Sequence, residues 1–278
     1  ANAIPNNLPG AVTIYNIMPM QYLGTSSTAG WIISLFASSF HFVVGFAYVF
    51  WDLKRKQKQG IGFVQPKLLK VAEVDVTNLP NPLIAITPIV ITLVALNIFD
   101  LDVFFSLSLG IISCMALMYK NIPNVVGALS EGAANAGLPV IATCAVVGFG
   151  SVVASVEGFE IIVDAIINNT PGSPYVSWTL GVTSLAGITA SASGGLGIAM
   201  EALLPKFMSM NLNPEALHRL ASIATCGLDT LPHNGAIVTI LTIFGLTHKE
   251  GYKYFFILSL VISLASLIPG LLAVGLFY

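Results

Sequence analysis

Residues 226–236 read Cys-Gly-Leu-Asp-Thr-Leu-Pro-His-Asn-Gly-Ala and set Asp229, Pro232, His233 and Asn234 between two apolar arms, 217–225 and 237–246. An ionisable side chain among apolar spans is costly unless it faces a cavity, so a carboxyl and an imidazole placed there point to function. Pro232, with Gly227 and Gly235, frees backbone amides and carbonyls. Irregular backbone at membrane depth survives only where protein buries it or it lines a site, which is how discontinuous transporter helices coordinate substrates and ions. A second break precedes the first. Thr189-Ala190-Ser191-Ala192-Ser193-Gly194-Gly195 interrupts the apolar stretch 175–204. Hydroxyls and amides gathered where a helix opens at Leu196 favour a carboxylate or phosphate. The same small residues would equally serve close helix packing. Glu201, two turns on, reads either as a satisfied carboxyl or as a proton carrier.

Two polar breaks adjacent in sequence are the pattern of a secondary transporter's binding site. An intramembrane serine hydrolase, with Ser193 as nucleophile and His233 as base, is a competing class. It leaves Asp229 and Asn234 without a role, so an enzyme is not expected. A pore-forming or purely structural subunit is the third reading, and it gives no reason to bury Asp and His together.

The elements that carry these breaks are apolar. Of the 278 residues, 55% are hydrophobic and 9% charged, against roughly a quarter charged in a soluble domain. Several windows reach the ~20 apolar residues that span a bilayer, so the expected class is an all-α polytopic membrane protein with the lipid bilayer as its surroundings. A net charge of −2 gives no footprint for nucleic acid. Cys114, Cys144 and Cys226 lie in apolar segments without C-x-x-C or zinc spacing, so neither a metal site, a disulfide nor a bound cofactor is expected.

Residues 1–30 are rich in Pro, Gly and Asn and lack Lys and Arg, which suits an external loop; the chain opens without Met, as a fragment would. Residues 31–51 form a span with Trp at both ends, leading into Lys54-Arg55-Lys56-Gln57-Lys58. By the positive-inside rule the linker 52–81 is cytoplasmic. His41, within the span, reads as a packed histidine. Residues 82–99 and 101–119 are two spans joined by an acidic turn at Asp100 and Asp102. A small-residue helix over 121–137 follows Pro123, either interfacial or a plain connector. The stretch 138–167 reads as a span interrupted at Gly148-Phe149-Gly150-Ser151, and 168–174 as an external loop. Asn213-Pro214-Glu215 is a helix start. Lys249 and Lys253 place 247–254 inside, and 255–277 is the last span. Every Lys and Arg stays inside if 175–204 crosses and 217–246 is re-entrant; the alternative makes 175–204 the re-entrant hairpin and 217–246 a broken crossing helix, moving only Lys206 and Arg219.

The stretch Gly227-Leu228-Asp229-Thr230-Leu231-Pro232-His233-Asn234-Gly235-Ala236, followed by Gly245-Leu246-Thr247-His248-Lys249-Glu250, resembles the signature near the C-terminus of the gluconate:H+ symporter (GntP) family. Residues 189–196, Ile4-Pro5-Asn6-Asn7 and the spacing of the spans are similar as well, so the likeness covers essentially the whole chain. The resemblance implies a proton-coupled symporter, in the cytoplasmic (inner) membrane, of gluconate or another small hydroxy-carboxylate. It implies the ion-transporter type of inverted-repeat fold, in which a re-entrant hairpin and discontinuous helices meet near the midplane, with residues 82–278 as the C-terminal repeat. Members are longer and carry a Pro-rich first hairpin ahead of the equivalent of Asn2; that hairpin is missing here, so the chain looks like the C-terminal part of a longer permease. On this resemblance Thr189, Ser191, Ser193, Gly194 and Gly195 bind substrate from one break, and Thr230 and Asn234 from the other, whose element also includes Pro232. Asp229 and His233 couple transport to H+, four residues apart and so on one face of any local helix. The implied partner is a small organic anion; Na+ coupling and a homo-oligomer are compatible with the same residues.

Overall fold

The computed structural model describes residues 8–62, 79–122 and 124–278, and these are helical throughout apart from turns and linkers. Ile4-Pro5-Asn6-Asn7, Pro123 and the linker from 63 to 78 lie outside the described residues. In chain order the helices are α1 (Ile14–Leu23), α2 (Trp31–Lys58), α3 (Pro82–Asn97), α4 (Val103–Leu117), α5 (Val125–Ala154), α6 (Glu157–Asn169), α7 (Pro174–Thr189), α8 (Ala192–Ile198), α9 (Leu204–Met208), α10 (Pro214–Ala224), α11 (Gly235–Ile243), α12 (His248–Phe255) and α13 (Ile262–Phe277). A π-helical turn, Ala199–Leu203, joins α8 to α9, and another, Phe256–Val261, joins α12 to α13. The chain divides into two compact units: 71–145, and 1–70 together with 146–278.

Within the smaller unit α3 and α4 form a hairpin. Asn81 caps α3 by accepting from Leu83 N, and Asp102 caps α4 by accepting from Phe104 N at 2.8 Å. The two helices close on Gly110, where a Cβ would stand 2.1 Å from Thr92 Oγ1. At 16 and 15 residues they are shorter than the spans expected. Beyond them α5 runs unbroken to Ala154, so the interruption expected at 148–151 falls instead at Ser155 and Val156, just before α6.

Among the described residues two continuous helices are long and apolar enough to cross a membrane, Trp31–Lys58 and His248–Phe277, both in the larger unit. They run antiparallel. Phe36 meets Phe277 at 6.1 Å between ring centroids at one end, while at the other Lys56 lies 3.4 Å from Asp52 and meets Tyr254. The outer face of α2 leaves Leu35, Phe42, Val43, Phe46 and Phe50 exposed, a large apolar surface that fits hydrocarbon better than water.

The stretch 174–208 doubles back on itself. Ser173 caps α7, with Pro174 in the first turn, and α7 ends at Ala190 in the left-handed region (φ 46°). Ser191 then caps the returning helix. The return brings Asn213 N back to Tyr175 Oη, 2.9 Å away, beside the start of α7. From there α10 starts as the sequence indicates, with Asn213 accepting from Glu215 N and Ala216 N. It runs alongside α7, since Trp178 Nε1 donates to Leu217 O at 2.9 Å and Thr183 Oγ1 to Ala224 O at 3.2 Å. The structure makes 174–208 a hairpin and α10–α11 a helix broken between Thr225 and Asn234. The core between them is apolar. Trp178, Phe207, Leu196, Leu203, Leu217, Leu220 and Ile223 are fully buried, with Trp178 against Phe207 at 5.3 Å.

Residues 8–30 are not a plain loop. α1 packs on α10, and the segment is knitted there by buried polar groups. Asn16 Nδ2 donates to Ala11 O and Ser27 O, and Asn16 Oδ1 meets His218 Nε2 at 3.0 Å. His218 Nδ1 meets Thr25 Oγ1 at 2.7 Å. Arg219, 0% exposed, donates from Nε to Ala29 O and from Nη2 to Ser27 O. A buried guanidinium needs acceptors for its donors; Nε and Nη2 find theirs in the carbonyls of a chain reversal, while Nη1 has no hydrogen-bond partner among the described residues. Arg219 is therefore a packing residue rather than a loop charge. Lys206, the other residue at issue, pairs with Asp164 at 2.6 Å.

Candidate functional site

The two breaks meet. Asn234 Nδ2 donates to Ala190 O of the hairpin tip and to Asp229 O of its own break, each at 2.8 Å, while Asn234 Oδ1 caps α11 by accepting from Ile237 N at 3.0 Å. Both N–H donors of the Asn234 amide are thus committed, and its oxygen accepts one hydrogen bond. It acts as the clamp between the breaks. The approach is close enough to exclude side chains. A Cβ on Gly187 would stand 2.8 Å from Leu228 Cβ, so the end of α7 lies directly on the turn Leu228–Thr230.

At the hairpin tip the hydroxyl of Thr189 donates back to Leu185 O at 2.9 Å and is 3.1 Å from Ser191 O. Ser191 Oγ accepts from Gly194 N at 3.1 Å, and Ser191 O accepts from Gly195 N at 2.9 Å. These two glycine amides are therefore in use within the turn. Gly195 answers to packing: a Cβ there would stand 2.3 Å from both Cα and N of Ala186. The amides of Ala192 and Ser193 belong to the first turn, which makes no intrahelical bonds. Ser193 Oγ, half-buried, lies 3.4 Å from Ser191 Oγ.

In the second break the helix unwinds after Thr225 into one 3-10 turn, Leu228–Thr230, and Leu231 is extended (φ −60°, ψ 157°). Pro232 explains the extension, because the residue before a proline is pushed out of the helical region. The freed carbonyls find partners. Thr230 Oγ1 donates to Gly227 O, Tyr252 Oη donates to Thr230 O at 3.0 Å, and His248 Nε2 lies 3.0 Å from Pro232 O. Tyr252 and His248 were not singled out from the sequence. The signal for His248 was the length of the motif, which runs on through Gly245–Glu250 without an obvious role for it; Tyr252 lies beyond the motif and carried no signal.

Asp229 is buried, 8% exposed, and its Oδ1 has no hydrogen-bond partner among the described residues. His233 is exposed, and no hydrogen bond or ion pair joins it to Asp229. The shared helical face expected from their spacing is lost because Pro232 unwinds the chain between them. Nor does Ser193 bond to His233, so the nucleophile and base of a hydrolase are not assembled. Glu201 sits in the π-helical turn and accepts a hydrogen bond from Tyr22 Oη of α1. Among the described residues no group of three His, Cys, Asp or Glu side chains converges on a metal-sized site.

What the arrangement offers chemically is a small polar centre. The first break contributes hydroxyls, the second a buried carboxyl, and around them are backbone carbonyls already held by Asn234, Tyr252 and His248. No family model matches the chain, and no solved structure matches it. Over 161 residues the chain is 38% identical to the uncharacterized transporter YxjC of Bacillus subtilis (strain 168); the match covers 56% of this chain and 34% of that protein, so the chain matches about a third of its relative's length.

Proposed function

We propose that this chain forms the substrate- and proton-handling part of a secondary transporter in the cytoplasmic membrane, one that carries gluconate or a related small hydroxy-carboxylate together with H+. The likeness to a protein named as a transporter supports transport in general. The observation that carries the finer reading is the junction of the two breaks through Asn234, with the Asp229 carboxyl buried beside it and one oxygen unpartnered. A carboxyl in that position takes up and releases a proton at the place where the substrate sits, which is what coupling requires. Ser191, Ser193 and the amides of Ala192 and Ser193 receive the substrate carboxylate, and the Thr230 hydroxyl contributes from the opposite wall. His233, four residues beyond Asp229 and exposed, is the nearest imidazole in sequence to that carboxyl.

The test is uptake of labelled gluconate into proteoliposomes holding the protein as the cell makes it. Under an imposed pH gradient, acid outside, the substrate should accumulate above its external concentration, and a protonophore should abolish the accumulation. Uptake that merely equilibrates with a pH gradient but rises above equilibrium with a Na+ gradient would assign the coupling to Na+ and overturn the proton reading.

A further inference from the structure

The basic residues at the end of α2 divide between two faces. Lys56 turns inward to Asp52 and the Tyr254 hydroxyl. Trp51, Lys54, Arg55 and Lys58, spaced i, i+3, i+4 and i+7, form one stripe on the other side, and with Gln59 they line a cavity of about 410 Å³. Trp51 is 55% exposed, and the Arg55 guanidinium lies over its ring, 5.5 Å from the centroid. Among the described residues none of these three cations has an acidic partner, whereas the fourth, Lys56, does. Toward the middle of the helix the exposed surface is hydrocarbon: Val43, Phe46 and Phe50. Read outward along α2, the surface passes from hydrocarbon to an amphipathic indole and then to unpaired positive charge. A bilayer passes through the same order, from acyl chain to interface to phosphate.

We infer that this cavity is a binding site for the headgroup of an anionic phospholipid, the phosphodiester lying between Lys54, Arg55 and Lys58 and the acyl chains running along the exposed face of α2. Charge complementarity selects the anionic headgroup over a zwitterionic one, since three cations with no counter-ion among the described residues meet one net negative charge. The exposed apolar face selects a lipid over a free anion, which would leave Phe50 and Val43 uncovered. The Arg55–Trp51 stack fixes the guanidinium edge toward the phosphate and shields the cation from the hydrocarbon below it. The site is independent of the transport reading, because none of its residues lies at either break.

Trp51 is a built-in reporter. With Trp31→Phe as background, Trp178 being fully buried, the full chain is reconstituted in phosphatidylcholine containing a small fraction of brominated phosphatidylglycerol, and in a second series the same fraction of brominated phosphatidylcholine. The brominated phosphatidylglycerol should quench Trp51 in excess of its mole fraction. The excess should fall roughly fivefold for each cation removed and reach parity with phosphatidylcholine in Lys54→Gln/Arg55→Gln/Lys58→Gln. The charge-retaining pair Lys54→Arg/Lys58→Arg and the inward-facing Lys56→Gln should keep it. Equal quenching by the two lipids in the parent, or an excess that survives the triple replacement, overturns the proposal. So does loss of the excess on adding inorganic phosphate at constant ionic strength, which would make free phosphate the occupant.

Discussion

Asp229→Asn should leave a transporter that equilibrates its substrate but no longer concentrates it. Asparagine matches aspartate in shape and preserves the packing of the turn Leu228–Thr230, but it cannot exchange a proton. With one proton carried per substrate, each pH unit of gradient is worth about 1.4 kcal/mol, or about tenfold accumulation. That factor should collapse to one in Asp229→Asn, while exchange of internal for external substrate persists. The readout is the ratio of internal to external labelled substrate at steady state, measured at several imposed pH gradients. An unaltered slope against the gradient would place coupling elsewhere, with Glu201 in the π-helical turn as the next candidate.

Gly195→Ala should have the largest effect on the architecture. Its Cβ would meet Ala186 Cα and N at 2.3 Å and the carbonyl carbon of Leu185 at 2.7 Å. These are backbone atoms and cannot swing aside as a side chain would, so α7 and the returning helix must part. Overpacking of this kind costs about 1–3 kcal/mol, and the hairpin tip carrying Ala190 O moves away from Asn234 with it. We expect a lower midpoint of thermal unfolding in detergent together with loss of substrate affinity. Gly235→Ala is the control, since its Cβ would meet nothing within 4 Å and alanine is the better helix former. Its midpoint should be unchanged or slightly raised. Equal midpoints for the two variants would show that the hairpin is not closed at Gly195.

Both breaks were legible in the sequence because each gathers glycine, proline or hydroxyl residues between apolar arms, a local pattern. The direction of the chain after each break was not legible. It is set by contacts between distant residues, Tyr175 with Asn213 and Trp178 with Leu217. The charge rule could not choose between the hairpin and the crossing, because one of its two deciding residues, Arg219, is a buried structural cation. The same network explains why residues 8–30 read as a loop. Their Asn, Thr, Ser and Gly look like loop residues in isolation, and only His218 and Arg219 on α10 turn them into an ordered strap. Likewise the pairing of Asp229 with His233 was inferred from helical spacing, and Pro232, present in the same motif, removes the helix on which that spacing depends. The role of Asn234 needed the fold, since nothing local announces that its amide will reach Ala190.

The two breaks together form one carboxylate site. In the protein with Cys114, Cys144 and Cys226 replaced by alanine, single cysteines at Ser193→Cys and Thr230→Cys, both half-buried positions, would be alkylated with and without gluconate. Gluconate should slow alkylation at both positions over the same concentration range, and glucose, which has the hydroxyls without the carboxylate, should slow neither. Protection at one position alone, or equal protection by glucose, would contradict it.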